Sequence, residues 1–407
     1  MYLNEIISAQ KSGEAKGITS ICSAHPWVLR AAMQKKHGKL LIEATCNQVN
    51  QFGGYTGMTP KDFVTYVRGI AEESNFPFEN IILGGDHLGP NVWQNEFANS
   101  AMQKAESLIH DYVRAGFVKI HLDCSMNLGD DPKGALSVEV SAKRAAQLAK
   151  VADEIGNKNL CYVIGTEVPV AGGARGHAET VSVTNIEAVQ QTIQVTREAF
   201  LRVGLESAWE SVIGVVVQPG VEFGDDFILE YQPKKASELS RFIENQSMIY
   251  EAHSTDYQTR AALKDLVCDH FAILKVGPGL TFAFREAIIA LSIIEDELFA
   301  KDQRSNLIQI LDKVMVQHPQ YWEKYYRGTE AEQASKRIYS LCDRVRYYWV
   351  QPEVHAAFLR LMKNLGEITL PYSLLSQFVG RTDINAAKVI EWKISRILQD
   401  YWMACND

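Results

Sequence analysis

A chain of 407 residues, 46% hydrophobic and 22% charged, is long enough for one large domain with an extension or for two domains. Its formal net charge of −8 argues against nucleic acid or an anionic membrane as the main partner, so a phosphate ligand must be met by local backbone N–H groups or a few placed cations. The cysteines at 22, 46, 124, 161, 268, 342 and 405 show no C-x-x-C pair, the N-terminus lacks a signal-peptide pattern, and no apolar run is long enough for a bilayer, which together predict a cytoplasmic chain with reduced thiols.

In chain order, short apolar runs recur as GITSIC (17–22), KLLIEA (39–44), NIILGG (80–85), FVKIHL (117–122), LCYVIG (160–165), VIGVVV (212–217), SMIYEA (247–252) and FAILKV (271–276). Most are rich in Val, Ile and Leu with little alternation, as expected of strands buried on both faces in a parallel sheet. Helix-length amphipathic segments separate them. Thr59 before Pro60 marks one helix start, and Ser137 or Ser141 another. The pattern predicts a (β/α)₈ TIM barrel over 1–300, with the eighth helix starting near Thr281. No G-x-G-x-x-G opens the first helix, which disfavours a dinucleotide fold, and no G-x-x-x-x-G-K-[ST] loop suggests phosphoryl transfer from ATP. Residues 301–407 are aromatic-rich and read as an α-helical extension packed on the barrel or on another subunit.

Residues that end the strands of such a barrel face one pocket, and here they form a polar ring. It runs from Ser23 and His25 through Asn47, Gln48, Asn50 and Gln51 to Asp86, His87, His121 and Asp123. It continues with Glu167, Gln218, Glu222, His253, Ser254, Asp256 and Lys275. His87 and His253 are the expected ligands of a divalent metal, because neutral imidazole suits Zn²⁺ and similar ions. Glu167, Gln218 and Asp123 are candidates for a third position, with His121 beyond them. Asp86 is the expected proton-transfer group, with Glu167 and Asp123 as further catalytic candidates; the plainer reading is that Asp86 caps its loop.

Phosphate is expected after strands seven and eight, where HSTDYQT and KVGPGLTF supply Ser254, Thr255, Asp256, Lys275, Gly277, Gly279 and Thr281. A second Gly-rich stretch, QFGGYTGMT, adds Gly53 and Gly54, although glycines there are as often plain turn formers. Asn47, Gln51 and His121 complete the expected substrate contacts, and Arg175 of GARGH (173–177) is placed on a loop from which it reaches a phosphate.

The stretches ICSAHPWVL, IEATCNQVNQFGGYTGMTP, ILGGDHLGPN, KIHLDCSM, YVIGTEVPV, VVVQPGVEF, YEAHSTDYQTR and FAILKVGPGLTFAFREA closely resemble one family. It is that of the larger, accessory subunit of class II D-tagatose-1,6-bisphosphate aldolase, of galactitol and N-acetylgalactosamine catabolism. The resemblance extends over nearly the whole chain. It implies a sugar-phosphate substrate and a divalent metal, Zn²⁺ first and Mn²⁺, Ni²⁺ or Co²⁺ as alternatives. It also implies a smaller catalytic aldolase subunit as partner, a homo-oligomer, or both. Some relatives are assigned 4-epimerase activity on ketohexoses or their phosphates, so a stand-alone metal-dependent epimerase is the alternative. By the same resemblance, Asp86–His87 corresponds to a catalytic-Asp and metal-His pair, His253 to a later metal histidine, and HSTD with KVGPGLT to two phosphate loops. The departure is Gln218, which stands where the catalytic enzymes carry another metal histidine; an amide oxygen is a poor Zn²⁺ ligand beside imidazole.

Overall fold

Strands that are apolar on both faces need cover on both sides, and the computed structural model, which describes residues 2–34, 38–165 and 181–406, supplies it with a closed barrel ringed by helices. Its eight parallel strands are β1 (Ile18–Ile21), β2 (Leu40–Thr45), β3 (Ile81–Leu88), β4 (Lys119–Leu122), β5 (Cys161–Ile164), β6 (Val212–Val216), β7 (Ile249–Ala252) and β8 (Phe271–Val276). Each pairs with its neighbours in sequence, and β8 pairs back onto β1 through Ser20 opposite Lys275. All eight expected strands are present.

The chain opens with α1 (Tyr2–Lys11), which the strand pattern had not suggested. Its Leu3 and Ile6 join a second apolar cluster with Ile18, Leu41, Ile82, Ile213, Ile249 and Ile273, one residue from each of six strands. The barrel helices are α2 (Pro26–Gln34), α3 (Pro60–Glu73), α4 (Ala98–Ala115), α5 (Val138–Glu154), α6 (Ile186–Arg202), the short α7 (Glu206–Glu210), α8 (Pro233–Glu244), α9 (Arg260–Cys268) and α10 (Pro278–Leu298). Thr59 starts α3 with a capping box to Asp62 and Pro60 at the first position, and the Ser137 hydroxyl accepts from Val140 N–H to start α5. A two-stranded hairpin (Glu222–Phe223 with Ile228–Leu229) follows β6; its strands are too short to leave a periodic signal.

Beyond residue 300 come α11 (Leu307–Gln317), α12 (Glu330–Tyr339), α13 (Pro352–Gly366), α14 (Tyr372–Phe378) and α15 (Ala386–Asn406). The last of these packs on β1, α2, α9 and α10, so it takes a place in the ring of helices around the barrel. Gly17 N–H donates to Cys405 O (2.8 Å) and Tyr401 OH to Thr255 O (2.7 Å), tying it to the strand walls. Among the described residues no helix is long and apolar enough to cross a membrane.

A short 3₁₀ turn, Arg344–Tyr347, brings the C-terminal part of the chain to the mouth of the barrel. It begins at Asp343, whose φ of 45° is the left-handed region that a non-glycine residue enters only when held there. What holds it is its carboxylate, which accepts from Thr281 Oγ1 (2.6 Å) and Arg285 Nε (2.8 Å) on α10. Arg285 is 2% exposed and also donates to Ser340 O (3.0 Å). Replacing Asp343 by Ala leaves this guanidinium buried without its carboxylate. Urea unfolding should show a loss of about 3–5 kcal/mol; a loss of less than about 1 kcal/mol, within the range of an exposed pair, would show that the pair does not anchor the turn.

Candidate functional site

The bore of the barrel is charged. Glu43 of β2 and Glu251 of β7 are fully buried and share Lys119 of β4, whose Nζ lies 2.8 Å from Glu43 Oε1 and 2.6 Å from Glu251 Oε2. Lys275 of β8 sits above with Nζ at 2.9 Å from Glu43 Oε2, 3.3 Å from Glu251 Oε1 and 2.6 Å from Asp86 Oδ1. Ser20 Oγ donates to Glu43 Oε1 (2.6 Å). Gly84 is beside Glu43 because nothing larger fits: a Cβ there would meet Glu43 Cγ at 2.7 Å. Burial pulls each lysine toward neutrality, but the surrounding carboxylates outweigh it and hold both ammonium groups above their ordinary value. Burial likewise opposes ionisation of Glu251, and Lys119 and Lys275 hold it well below the usual carboxylate range.

The histidines lie on this lattice. Strand β3 runs on to Leu88, and its pairing with β4 shifts register between Gly85 and Leu88, with His87 at φ 47°. Adjacent strand residues ordinarily face opposite ways; this irregularity lets both Asp86 and His87 line the cavity. His87 Nδ1 lies 2.8 Å from Asp123 Oδ2, which also accepts from Asn91 Nδ2 (2.7 Å), so Asp123 orients His87 from behind. Burial alone would lower the His87 pKa, but Asp86 and Asp123 raise it. His253 is the opposite case. Burial drives its pKa down to about 3, and as a neutral ring its Nε2–H donates to Glu251 Oε1 (2.9 Å), leaving the lone pair on Nδ1. His121 Nδ1 is 3.0 Å from Asp86 Oδ1 and 3.1 Å from the His87 N–H, and can serve only one of them at a time. As a donor to Asp86 it leaves a lone pair on Nε2, an atom buried with no hydrogen-bond partner.

Asp86, His121, Glu251 and His253 each offer a ligand atom, all within 4.8 Å of one another and all buried. The set suits a divalent cation on two grounds. His121 Nε2 is a buried atom with no partner, and among the described residues the carboxylates of Glu43, Asp86, Asp123 and Glu251 outnumber the ammonium groups of Lys119 and Lys275. Lys275 already bonds Asp86 and Glu251, so a cation entering the set shares those carboxylates with it.

The set differs from the expected one. Glu251 was not singled out as a site residue. It lies inside a strand, two residues before His253 and therefore on the same face, and a Glu there is the signal that would have found it. His87 is beside the set rather than in it. Gln218 does not line the cavity, because its Oε1 turns back to accept from Gly220 N–H (2.8 Å). Glu167 and Arg175 lie outside the described residues.

Above the set is a cavity of about 860 Å³, floored by Asp86, His87, His253 and Lys275 and walled partly by the Arg344–Tyr347 turn. Asn47, Gly54, Ser254, Asp256, Gly277 and Thr281 also line it. The expected phosphate loops are largely engaged with the protein itself. Gly277 N–H and Gly279 N–H donate to Asp256 Oδ1 at 3.0 and 2.7 Å, so a carboxylate fills the anion nest. Thr255 is fully buried on Lys275 O and Tyr401 OH, and Thr281 Oγ1 donates to Asp343. Gln51 reaches away to Lys104 O, and the N–H groups of Gly53 and Gly54 are taken by Asn50 within their own loop.

Burial pushes the Asp256 carboxyl from its ordinary 3.8 up to about 6, against the pull of the Gly279 and Gly277 N–H groups. Between these pH values the folded chain holds a proton that the unfolded chain releases, so this residue's contribution to stability falls as pH rises from about 4 to 6. Asp256→Asn keeps an accepting oxygen and should remove about 3 kcal/mol of that slope, read as the difference between two stability-versus-pH curves from urea unfolding; superimposable curves would place the titration elsewhere. Lys119→Met deprives Glu43 and Glu251 of a shared cation and should cost about 3–5 kcal/mol in the same assay. A neutral result would mean that the lattice is not what holds the bore together.

The model of the D-tagatose-1,6-bisphosphate aldolase subunit GatZ/KbaZ-like family matches residues 3–406. The D-tagatose-1,6-bisphosphate aldolase subunit GatZ of Salmonella heidelberg is 53% identical, and that of Salmonella dublin 52%, each match covering 99% of both chains. Among solved structures, a probable tagatose 6 phosphate kinase from Sinorhizobium meliloti 1021 superposes with a TM-score of 0.88 at 45% identity, over 96% of this chain and 100% of that one. With the matched model spanning almost every residue and the identity sustained end to end, the chain belongs to the D-tagatose-1,6-bisphosphate aldolase subunit GatZ/KbaZ-like family.

Proposed function

We propose that this chain is the larger subunit of a class II D-tagatose-1,6-bisphosphate aldolase, binding a ketose phosphate over a divalent-metal site and supporting a smaller catalytic subunit. The observation that carries the reading is the 52–53% identity to GatZ subunits over 99% of the chain. The buried Asp86, His121, Glu251 and His253 set supports the metal, and its two imidazoles with carboxylates favour Zn²⁺, with Mn²⁺, Ni²⁺ or Co²⁺ behind it. The chemistry that a divalent ion supplies in such a set is Lewis acidity toward a ketose carbonyl oxygen.

The chain's own residues prepare the floor. Asp123 fixes the His87 ring so that its Nε2 faces Asp86, 3.8 Å away. Although burial resists ionisation of Asp86, His87, Lys275 and the His121 hydrogen bond hold it well below the usual carboxylate range. An anion of that kind is a better ligand and charge partner than a proton acceptor, so Asp86 holds cations and His87 is the better proton carrier. A strand-seven carboxylate, Glu251, in place of a strand-six imidazole adds negative charge to the donor set. That weakens its Lewis acidity, which suits a subunit that assists more than one that turns over alone.

Co-expression with the smaller subunit tests the assignment. The partner's cleavage rate and its half-life on warming should both rise in the presence of this chain, and values unchanged by its presence would refute the reading. Protein purified without added metal should hold about one divalent ion per chain, lost in His253→Ala. Retention of the ion by that variant would place the metal elsewhere.

A further inference from the structure

Three arginines surround the turn that begins at Asp343, and two are fully engaged. Arg285 is held by Asp343 and Ser340 O. Arg346 donates to Cys342 O, Asp343 O and Tyr347 OH. Arg344 differs from both. It lines the cavity and is 3% exposed, yet its Nε and Nη2 are buried without a hydrogen-bond partner, and among the described residues no carboxylate is in ion-pair range of it. Its Cζ lies 3.3 Å from the Tyr325 ring centroid and the group also interacts with Tyr347, so aromatic rings hold the guanidinium while the N–H groups of its Nε–Nη2 edge lack an acceptor.

That edge has a defined chemistry. Nε and Nη2 form the fork by which Arg337 takes the two oxygens of Asp312 (2.6 and 3.2 Å) in this same molecule, while in Arg260 the same pair converges on the single Oδ1 of Asp400 (2.8 and 2.6 Å). A guanidinium stays protonated in a protein, so an empty buried fork carries a desolvation cost that the Tyr325 and Tyr347 contacts offset only in part. A ligand with two oxygens on one anionic centre removes that cost. The loops where this fold usually places phosphate offer little in its stead, since the Gly277 and Gly279 N–H groups are bound to Asp256, whose own charge repels an anion.

We propose that Arg344 is the phosphate-recognition residue of the cavity, its Nε–Nη2 edge taking two oxygens of a sugar phosphomonoester in place of the Gly277–Gly279 backbone. The proposal rests on the reading that the cavity takes a ketose phosphate. It adds that the C-terminal segment, not the β7 and β8 loops, reads the phosphate, while Asp86, His87, His253 and Lys275 meet the other end of the ligand at the floor.

The test is calorimetric titration of the full, metal-loaded chain with inorganic phosphate, D-tagatose 1,6-bisphosphate and unphosphorylated D-tagatose. Arg344→Gln should weaken the two phosphate ligands roughly ten- to a hundredfold and leave D-tagatose and metal content unchanged. Arg344→Lys, which keeps the charge and loses the fork, should fall between the two and serves as the deciding variant if the glutamine form does not fold. Phosphate binding by the variants equal to that of the parent overturns the proposal, as does a parallel loss of D-tagatose or metal, which would make Arg344 a structural residue. A parent chain that binds none of the phosphate ligands also overturns it, without touching the partner assay. Phosphate binding through Arg344 with no effect on the smaller subunit would instead sustain this proposal and refute the subunit assignment.

Discussion

The bore of this barrel is arranged around one electrostatic constraint: carboxylates from three strands and the end of a fourth converge in its interior, and among the described residues two ammonium groups accompany them. Such charges are tolerated inside a protein only when each is paired and hydrogen-bonded. Lys119 bridges Glu43 to Glu251 at the lower level, and Lys275 bridges both to Asp86 above. Strand β3 gives up a side chain at Gly84 so that Glu43 fits between the strands. His253 stays neutral against Glu251, while His87, between two carboxylates, is drawn toward its cation. The unmet negative charge at the top of the lattice is the physical reason a divalent ion belongs there.

The cavity over this floor is a composite. Its base comes from strand ends, and much of its wall from the turn that Asp343 holds against α10. The left-handed Asp343 and the buried Arg285 form the hinge pin between the two parts. The same α10 start that a simpler barrel devotes to an anion is here spent on attaching the C-terminal segment, with Thr281 bonded to Asp343 and Gly279 to Asp256. An anion-binding wall built from side chains replaces one built from backbone.

How much of this was legible in the sequence depended on what kind of signal each feature leaves. Long β-branched runs announce strands, and all eight were readable, as were the helix starts at Thr59 and Ser137. Asp86, His87 and His253 stood out because they follow apolar runs directly, and His121 as an imidazole near the end of one. Glu43, Lys119 and Glu251 did not, because inside a strand the hydrophobic pattern averages over a single charge; that their charges are inward and mutually paired is a fact of three dimensions. Gln218 follows β6, and a local bond to Gly220, which the sequence does not reveal, turns its amide away from the cavity. The glycines of KVGPG were recognisable as N–H donors, while their acceptor, Asp256, could be identified only once two loops were seen to touch. Helix α1 is short, and nothing local says that its apolar face meets the strands.

The packing of α15 sets the order in which the molecule can be made. Cys405 meets Thr19 across 386 residues of sequence, and Tyr401 closes on Thr255 beneath the cavity. Until that helix has left the ribosome, β1 and the outer faces of α2 and α9 lack their neighbour, and apolar surface meant for α15 is open to solvent. Contacts this distant in sequence are slow to form and leave partly folded chains prone to aggregation. A ring of helices closed by an element this far from β1 in sequence therefore leaves the partly folded barrel exposed until α15 docks.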